Sequence, residues 1–238
     1  QLNTWTSLKV VLLNILKHQL KELGQKLLVN LLKYKKYFRK TSLKQEGIGE
    51  HFLNEIASKK PKNFLEIGVF HGVTARNVCE LLHSIHGDEF NYIGLDLFGE
   101  SAENTNEVIP NTKFNNPLKK IYFEYILRQD PYSIEAVKYL LKKFDKNIHL
   151  IKGNSNLLLK KIDMSKIDYV FLDGGHAYET VKIDLQYSKP VLENNGTILC
   201  DDYNLSYAPG VKQAIDEFIK DNNYKSDIIF ERFAKIEK

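Results

Sequence analysis

The sequence predicts an α/β domain: a doubly wound, mostly parallel, seven-stranded sheet with a helical extension at its N-terminus. Three observations carry that prediction. Short apolar runs rich in β-branched and aromatic residues recur along the chain, each bounded by Gly or Asp, as buried parallel strands are. Stretches of helical spacing separate them, which is the rhythm of repeated strand-helix-strand units. Two of the runs, Tyr169-Val-Phe-Leu-Asp173 and Thr197-Ile-Leu-Cys-Asp-Asp202, end in acid, and an open parallel sheet gathers its functional groups just past the carboxyl ends of its strands.

Taken in order, residues 49–60 read as a short helix stopped by Pro61. Phe64–Val69 is the first strand and Thr74–Ser84 a helix. Tyr92–Leu97 is the second strand, Ile148–Lys152 the third, Tyr169–Leu172 the fourth and Thr197–Cys200 the fifth. Tyr178 and Glu179 open the helix after the fourth strand, where packing and capping are their expected tasks. Val211–Asp221 is a helix, and Ser226–Glu231 with Phe233–Ile236 a closing pair of strands. Between the second and third strands, residues 98–147 exceed what a crossover helix needs. They hold an Asn-rich loop (Asn104, Asn106, Asn111, Asn115, Asn116) and two helical patterns, Leu118–Gln129 and Ser133–Phe144. Long inserts of this kind are usually lids or binding loops; decoration without ligand contact is the alternative.

The 238 residues divide into an extension, 1–48, and a domain, 49–238. A hydrophobic content of 43% supplies a core for one such domain. The two cysteines, Cys79 and Cys200, exclude a disulfide framework and are expected to be buried thiols in a reducing, cytoplasmic setting. No apolar run reaches the roughly 18 residues of a membrane-spanning helix, and no basic segment followed by an apolar core marks a secretory leader. The net charge of +4 is uneven: residues 8–40 hold nine Lys or Arg against Glu22 alone, leaving 25 basic and 29 acidic residues elsewhere. Leu8, Leu12, Leu16, Leu20, Leu23, Leu27, Leu31, Tyr34 and Phe38 recur at helical steps through that basic stretch. Such a stripe suits an anionic membrane surface, and it equally suits packing on the domain or in a homo-oligomer. Nucleic acid is not an expected partner, because no groove motif interleaves aromatic and basic residues.

Chemistry concentrates at the strand ends. Gly68 and Gly72 in Phe64-Leu-Glu-Ile-Gly-Val-Phe-His-Gly-Val-Thr74 permit a sharp turn and a close helix start. The full dinucleotide fingerprint and the Walker loop are both missing, so a pyrophosphate ligand is disfavoured. Glu66 suits a ligand with a positive amine, Asp96 can accept both hydroxyls of a ribose, and Gly153-Asn-Ser155 could border an adenine. Asp173, Asp201 and Asp202 converge at one sheet edge, where their mutual repulsion asks for a hard cation such as Mg2+.

The phrases Phe171-Leu-Asp-Gly-Gly-His-Ala-Tyr-Glu-Thr-Val-Lys-Ile-Asp184 and Cys200-Asp-Asp-Tyr203 give the chain a family likeness. It resembles class I S-adenosylmethionine-dependent methyltransferases, in the branch of macrocin- and mycinamicin-type sugar O-methyltransferases related to the catechol enzymes. The resemblance covers about residues 49–238, apart from the 98–147 insert. It implies a Rossmann-like methyltransferase fold with S-adenosylmethionine as cofactor, contacted by Glu66, Gly68, Phe70, His71, Thr74, Asp96, Leu97, Asn154, Ser155 and Asp173. It implies Mg2+ or another divalent cation on Asp173, Asp201 and Asp202. The last position is commonly Asn in the catechol enzymes, so Asp202 departs toward the sugar-type pattern.

The general base of the catechol enzymes is a Lys three residues past the strand-four acid. The same spacing here gives His176, whose neutral imidazole is a fitting base near pH 7; Asp173 is the other candidate, and a structural role is the alternative for His176. The acceptor expected from the resemblance is a small molecule with neighbouring hydroxyls, a sugar or glycoside. His83, His86 and His149 read as surface or strand-edge residues, and Asp163, Asp168 and Asp184 as solvated or capping ones. A metal-independent methyltransferase, a nucleotide-binding oxidoreductase and a non-catalytic binding protein are the competing readings.

Overall fold

The computed structural model describes residues 32–99 and 116–238. Seven strands form one sheet in the order β3-β2-β1-β4-β5-β7-β6. They are β1 Asn63–Ile67, β2 Asn91–Asp96, β3 Ile148–Lys152, β4 Tyr169–Leu172, β5 Thr197–Cys200, β6 Lys225–Ile229 and β7 Phe233–Glu237. The first five run parallel, while β7 pairs antiparallel with β5 and with β6. The order reverses beside β1, the position at which open α/β sheets bind ligands.

Strand alternation builds the core on both faces. Phe64, Tyr92, Tyr169, Phe171 and Leu199 join one apolar cluster. Leu65, Leu95, Val170, Leu172, Ile198 and Cys200 join the other. The first face is aromatic: the Phe64 ring stacks at 5.2 Å on Tyr169 and at 6.1 Å on Tyr92, and Phe52 meets Phe171 at 4.6 Å. Each such pair contributes about 0.5–1.5 kcal/mol beyond the area it buries. Helices α1 (Ile48–Lys59), α2 (Val73–His86) and α4 (Ile134–Leu141) cover this face. Helices α6 (Tyr178–Glu193) and α7 (Pro209–Asn222) cover the other. Both thiols are buried and free.

Several boundaries differ from the sequence expectation, each for a local reason. Ser226–Glu231 ends as a strand at Ile229, because Phe230 and Glu231 take left-handed φ of 57° and 54° and turn the chain into β7. The pattern over Leu118–Gln129 is not one uniform helix: α3 (Pro117–Ile121) widens into a π-helical turn over Tyr122–Leu127. The leucine stripe does not extend as a helix to Phe38. Residues 32–40 are irregular, with left-handed φ at Tyr37 and Phe38. Its members from Leu8 to Leu31, and most of the Asn-rich loop, lie outside the described residues. Asp184 is fully buried in α6 rather than solvated, whereas Asp163 and Asp168 do cap backbone amides. No helix among the described residues is long and apolar enough to cross a membrane.

Candidate active site

At the end of β1 the chain turns sharply under the loop that follows β4. Gly68 has φ +95°, and a Cβ there would lie 1.9 Å from the Asp173 carbonyl oxygen. Only glycine lets these two strand ends lie so close. Gly68 N–H donates to Leu95 O, and Asp173 N–H to Ile67 O, so the turn is tied to both neighbouring strands.

The acids on this side are held by the chain's own donors. Asp96, at the end of β2, accepts Phe70 N–H on Oδ2 at 2.9 Å and Phe98 N–H on Oδ1 at 2.7 Å. Burial still raises its pKa, with those amides opposing the rise. Glu66 is fully buried in β1 and accepts the Tyr92 hydroxyl at 2.6 Å on Oε2. Its Oε1 is buried with no hydrogen-bond partner among the described residues. Burial pushes the Glu66 carboxyl up to about 8. An orphaned buried oxygen beside a glycine cradle fits a ligand with a cationic amine. Asn154 caps the short helix α5 (Ser155–Leu158) through Asn156 N–H, and Gly153 N–H donates to Asp96 O, which brings the β3 end to the β2 end. Leu97 directly follows Asp96 and is half-buried.

The remaining candidates of the turn face residues 34–40. Thr74 shares a hydrogen bond of 2.9 Å with the Tyr34 hydroxyl. His71 Nδ1 accepts Lys40 N–H, and its ring stacks on Phe70 at 4.3 Å. Burial first, then Arg39, Lys40 and Lys119, push the His71 pKa down to about 3, so the ring is neutral. It therefore brings no positive charge to the turn. The insert reaches the same place: the Tyr132 ring meets Phe70 and His71 edge-on at 4.6 and 4.7 Å. Arg39, buried, joins all three pieces by donating to His71 O, Pro131 O and Ala136 O.

The second cluster lies at the ends of β4 and β5. Asp173, Asp201 and Asp202 each offer an oxygen within 4.8 Å of the others. Burial, then Asp201 and Asp202, raise the Asp173 pKa far above the carboxylate range. Asp201 is raised too, by burial first, although the Arg232 guanidinium opposes the rise. Asp202 takes a left-handed φ of 60°, and its N–H donates to Asp201 Oδ1 at 2.7 Å. His176 Nε2 lies 3.0 Å from Asp202 Oδ2. The expected base thus stands on the acid cluster, within reach of its outermost member. Hard oxygen donors set this close fit a divalent cation.

Sequence reading missed Arg232, which meets Asp201 with Nε at 2.5 Å on Oδ1 and Nη2 at 2.6 Å on Oδ2. Its Nη2 is also 3.6 Å from Asp202 Oδ1. The signal was topological. Cys200 pairs with Ala234 in the antiparallel ladder, which sets Arg232 across from Asp202 and lets Tyr203 N–H donate to Arg232 O. Tyr92 and Arg39 were missed for the same reason, since both act across elements.

Residues 65–203 match the profile of a family described as a methyltransferase domain. No curated protein sequence matches the chain. Among solved structures, the O-methyltransferase NovP is similar with a TM-score of 0.57 at 18% identity, over 80% of this chain and 81% of its own. The calicheamicin methyltransferase CalS11 is similar at 0.59 and 14%, over 82% and 80%. The Podospora anserina methyltransferase PaMTH1, bound to SAH, is similar at 0.50 and 19%, over 79% and 76%. These likenesses show a shared fold.

Proposed function

The chain belongs to that methyltransferase domain family, and from this membership we propose that it is a metal-dependent O-methyltransferase acting on a sugar or another small molecule with neighbouring hydroxyls. The observation that carries the proposal is the acid triad. Three carboxylates within 4.8 Å stand on the same sheet edge as Glu66 and Asp96. One guanidinium does not compensate three carboxylates, so burial and mutual repulsion favour the protonated form of Asp173, and a divalent cation would let all three ionise.

When bound, S-adenosylmethionine supplies the methyl group, and a divalent ion on Asp173, Asp201 and Asp202 supplies polarisation of an acceptor hydroxyl. The chain's own residues do the rest. Glu66 Oε1 receives the cofactor's amine, and Asp96, already fixed by two backbone amides, receives the ribose hydroxyls. The rigid Asp96 needs no reorganisation, which favours orientation of the methyl carbon. His176, held beside the acid cluster with Nε2 3.0 Å from Asp202 Oδ2, is the group that takes the acceptor's hydroxyl proton. Held by Glu66 and Asp96, the bound sulfonium would offer its methyl carbon to that oxygen and would leave as a neutral sulfide. The acceptor class is supported by the Asp202 variation and by the shared fold of CalS11, a TDP-rhamnose 3′-O-methyltransferase. The insert, through Tyr132 and the residues before it, is proposed as part of the acceptor cover, and the basic N-terminal stripe as a packing or membrane-surface element.

Chelation tests the metal. Excess EDTA should abolish methyl transfer to sugar nucleotides and catechols alike, leave S-adenosylhomocysteine affinity nearly unchanged, and be reversed by Mg2+. Full activity in EDTA would leave a metal-independent methyltransferase, the reading that the bidentate Arg232–Asp201 pair favours.

A further inference from the structure

We propose that Arg232 is the resident counter-cation of the acid triad, a positioning residue that holds Asp201 in one orientation and keeps the site's affinity for a divalent ion low. The proposal rests on reading Asp173, Asp201 and Asp202 as a cation site.

The lone pairs of Asp201 are nearly spent inside the protein. Its Oδ1 accepts Asp202 N–H at 2.7 Å and Arg232 Nε–H at 2.5 Å. A carboxylate oxygen offers two lone pairs, so Oδ1 is saturated. Its Oδ2 accepts Arg232 Nη2–H at 2.6 Å and has one pair left. While Arg232 stays, Asp201 can serve a cation only through that one pair and only from one side. The same guanidinium lies 3.6 Å from Asp202 Oδ1, so it spans two of the three acids. A divalent ion entering between them meets a fixed positive charge a few ångströms away, and in a partly buried site that repulsion is poorly screened.

Arg232 is not placed to swing clear. Its outer side is tied to the segment before the domain, with Nη2 donating to Ser42 Oγ at 3.0 Å and Nη1 to Ser42 O at 3.4 Å. Its backbone is tied at both polar groups, N–H to Ile229 O and C=O from Tyr203 N–H. The planar fork engages Asp201 on both oxygens, a geometry that Arg holds better than any other side chain. The residue thus has the anchorage of a permanent occupant, and it resolves part of the repulsion among the acids before any ion arrives.

Removing the charge should therefore tighten ion binding. The test is calorimetric titration of Mn2+ and of Mg2+ into the full chain without cofactor at neutral pH, for wild type, Arg232→Met and Arg232→Lys. Arg232→Met should bind at least about tenfold more tightly, a change of about 1.4 kcal/mol. Arg232→Lys, which keeps the charge, should stay within about threefold of wild type. A merely structural arginine would give the reverse, with Arg232→Met binding more weakly. Unchanged or weaker binding in a folded Arg232→Met overturns the proposal. If that variant does not fold, Arg232→Gln, which retains a donor for Asp201, takes its place with the same expectation and the same overturning result. Wild-type binding without tightening in the neutral variants sinks the proposal alone. No ion uptake by any form at millimolar concentration sinks it together with the metal reading.

Discussion

The two ends of the strand row treat their carboxylates in opposite ways. At β1 and β2, Asp96 is met by two backbone amides and Glu66 by the Tyr92 hydroxyl. At β4 and β5, Asp173, Asp201 and Asp202 face one another, and the compensation comes from one long side chain, Arg232. The first arrangement is set between adjacent strands, by two backbone amides and one hydroxyl at the ends of β1 and β2. The second is set by charge brought from the far end of the chain. A site held by amides is ready for a ligand of fixed shape, whereas a site held by an ion pair is tuned by whichever cation occupies it.

The halves touch at Gly68, and breaking that contact gives the largest effect. Gly68→Ala puts a Cβ 1.9 Å from Asp173 O at φ +95°. Strain at a positive φ and the forced separation of two packed loops together cost about 3 kcal/mol or more. Urea denaturation should show that loss, and cofactor and ion binding should fall together. A stable variant that loses neither would mean that the two loops are free to move apart.

Within the acid half, Asp173→Asn removes one ligand and one candidate base while keeping shape. Methyl transfer should fall by at least about a hundredfold, the scale of losing acid–base or metal assistance. Affinity for S-adenosylhomocysteine should hold within a few-fold. A parallel loss of both would assign Asp173 to the cofactor half instead.

Within the cofactor half, Asp96→Ala should weaken S-adenosylhomocysteine binding at least about tenfold, through lost charged hydrogen bonds to two hydroxyls and two amides left to find new partners. Asp96→Asn keeps one acceptor oxygen and should lose less. Equal affinity for wild type and Asp96→Ala in calorimetry would move the ribose elsewhere.

The same contrast explains what could be read from the chain. Five parallel strands were legible because each is a short apolar run closed by Gly or Asp; β3, β4 and β5 fall on the residues the pattern gives. Asp173, Asp201 and Asp202 were legible because strand ends project functional groups to one edge. Arg232 was not, since no local pattern separates it from any other turn arginine; only the antiparallel pairing of β7 with β5 brings it opposite Asp202. His71 illustrates the converse. The resemblance gives it a cofactor contact by its place in the glycine turn; only the fold shows that burial and then nearby cations keep the ring neutral and that its Nδ1 serves the Lys40 amide. Glu66 was singled out as an acid suited to an amine, and the structure shows it buried with Oε1 unpartnered; its partner Tyr92 comes from the neighbouring strand and was invisible to spacing.

Glu66 offers the smallest and sharpest test, because it is the one acid of the cofactor half whose charge is unsettled. Burial raises its carboxyl from the usual range to about 8, so at pH 7 the ligand-free fold keeps most of that proton. In the unfolded chain the group ionises near about pH 4.3. Between those values the folded state binds more protons than the unfolded one, so its contribution to stability falls as pH rises from roughly 4.5 to 8 and is level above. Glu66→Gln should flatten that part of the stability profile. Cofactor binding brings a cationic amine to Oε1, which favours the carboxylate and expels the proton. Calorimetry at pH 7 in buffers of different ionisation enthalpy should therefore report release of up to about one proton per S-adenosylhomocysteine bound, and none for Glu66→Gln. Zero release in the wild type would mean that the amine is received by another group, and Glu66 would then be a buried acid satisfied by Tyr92 alone.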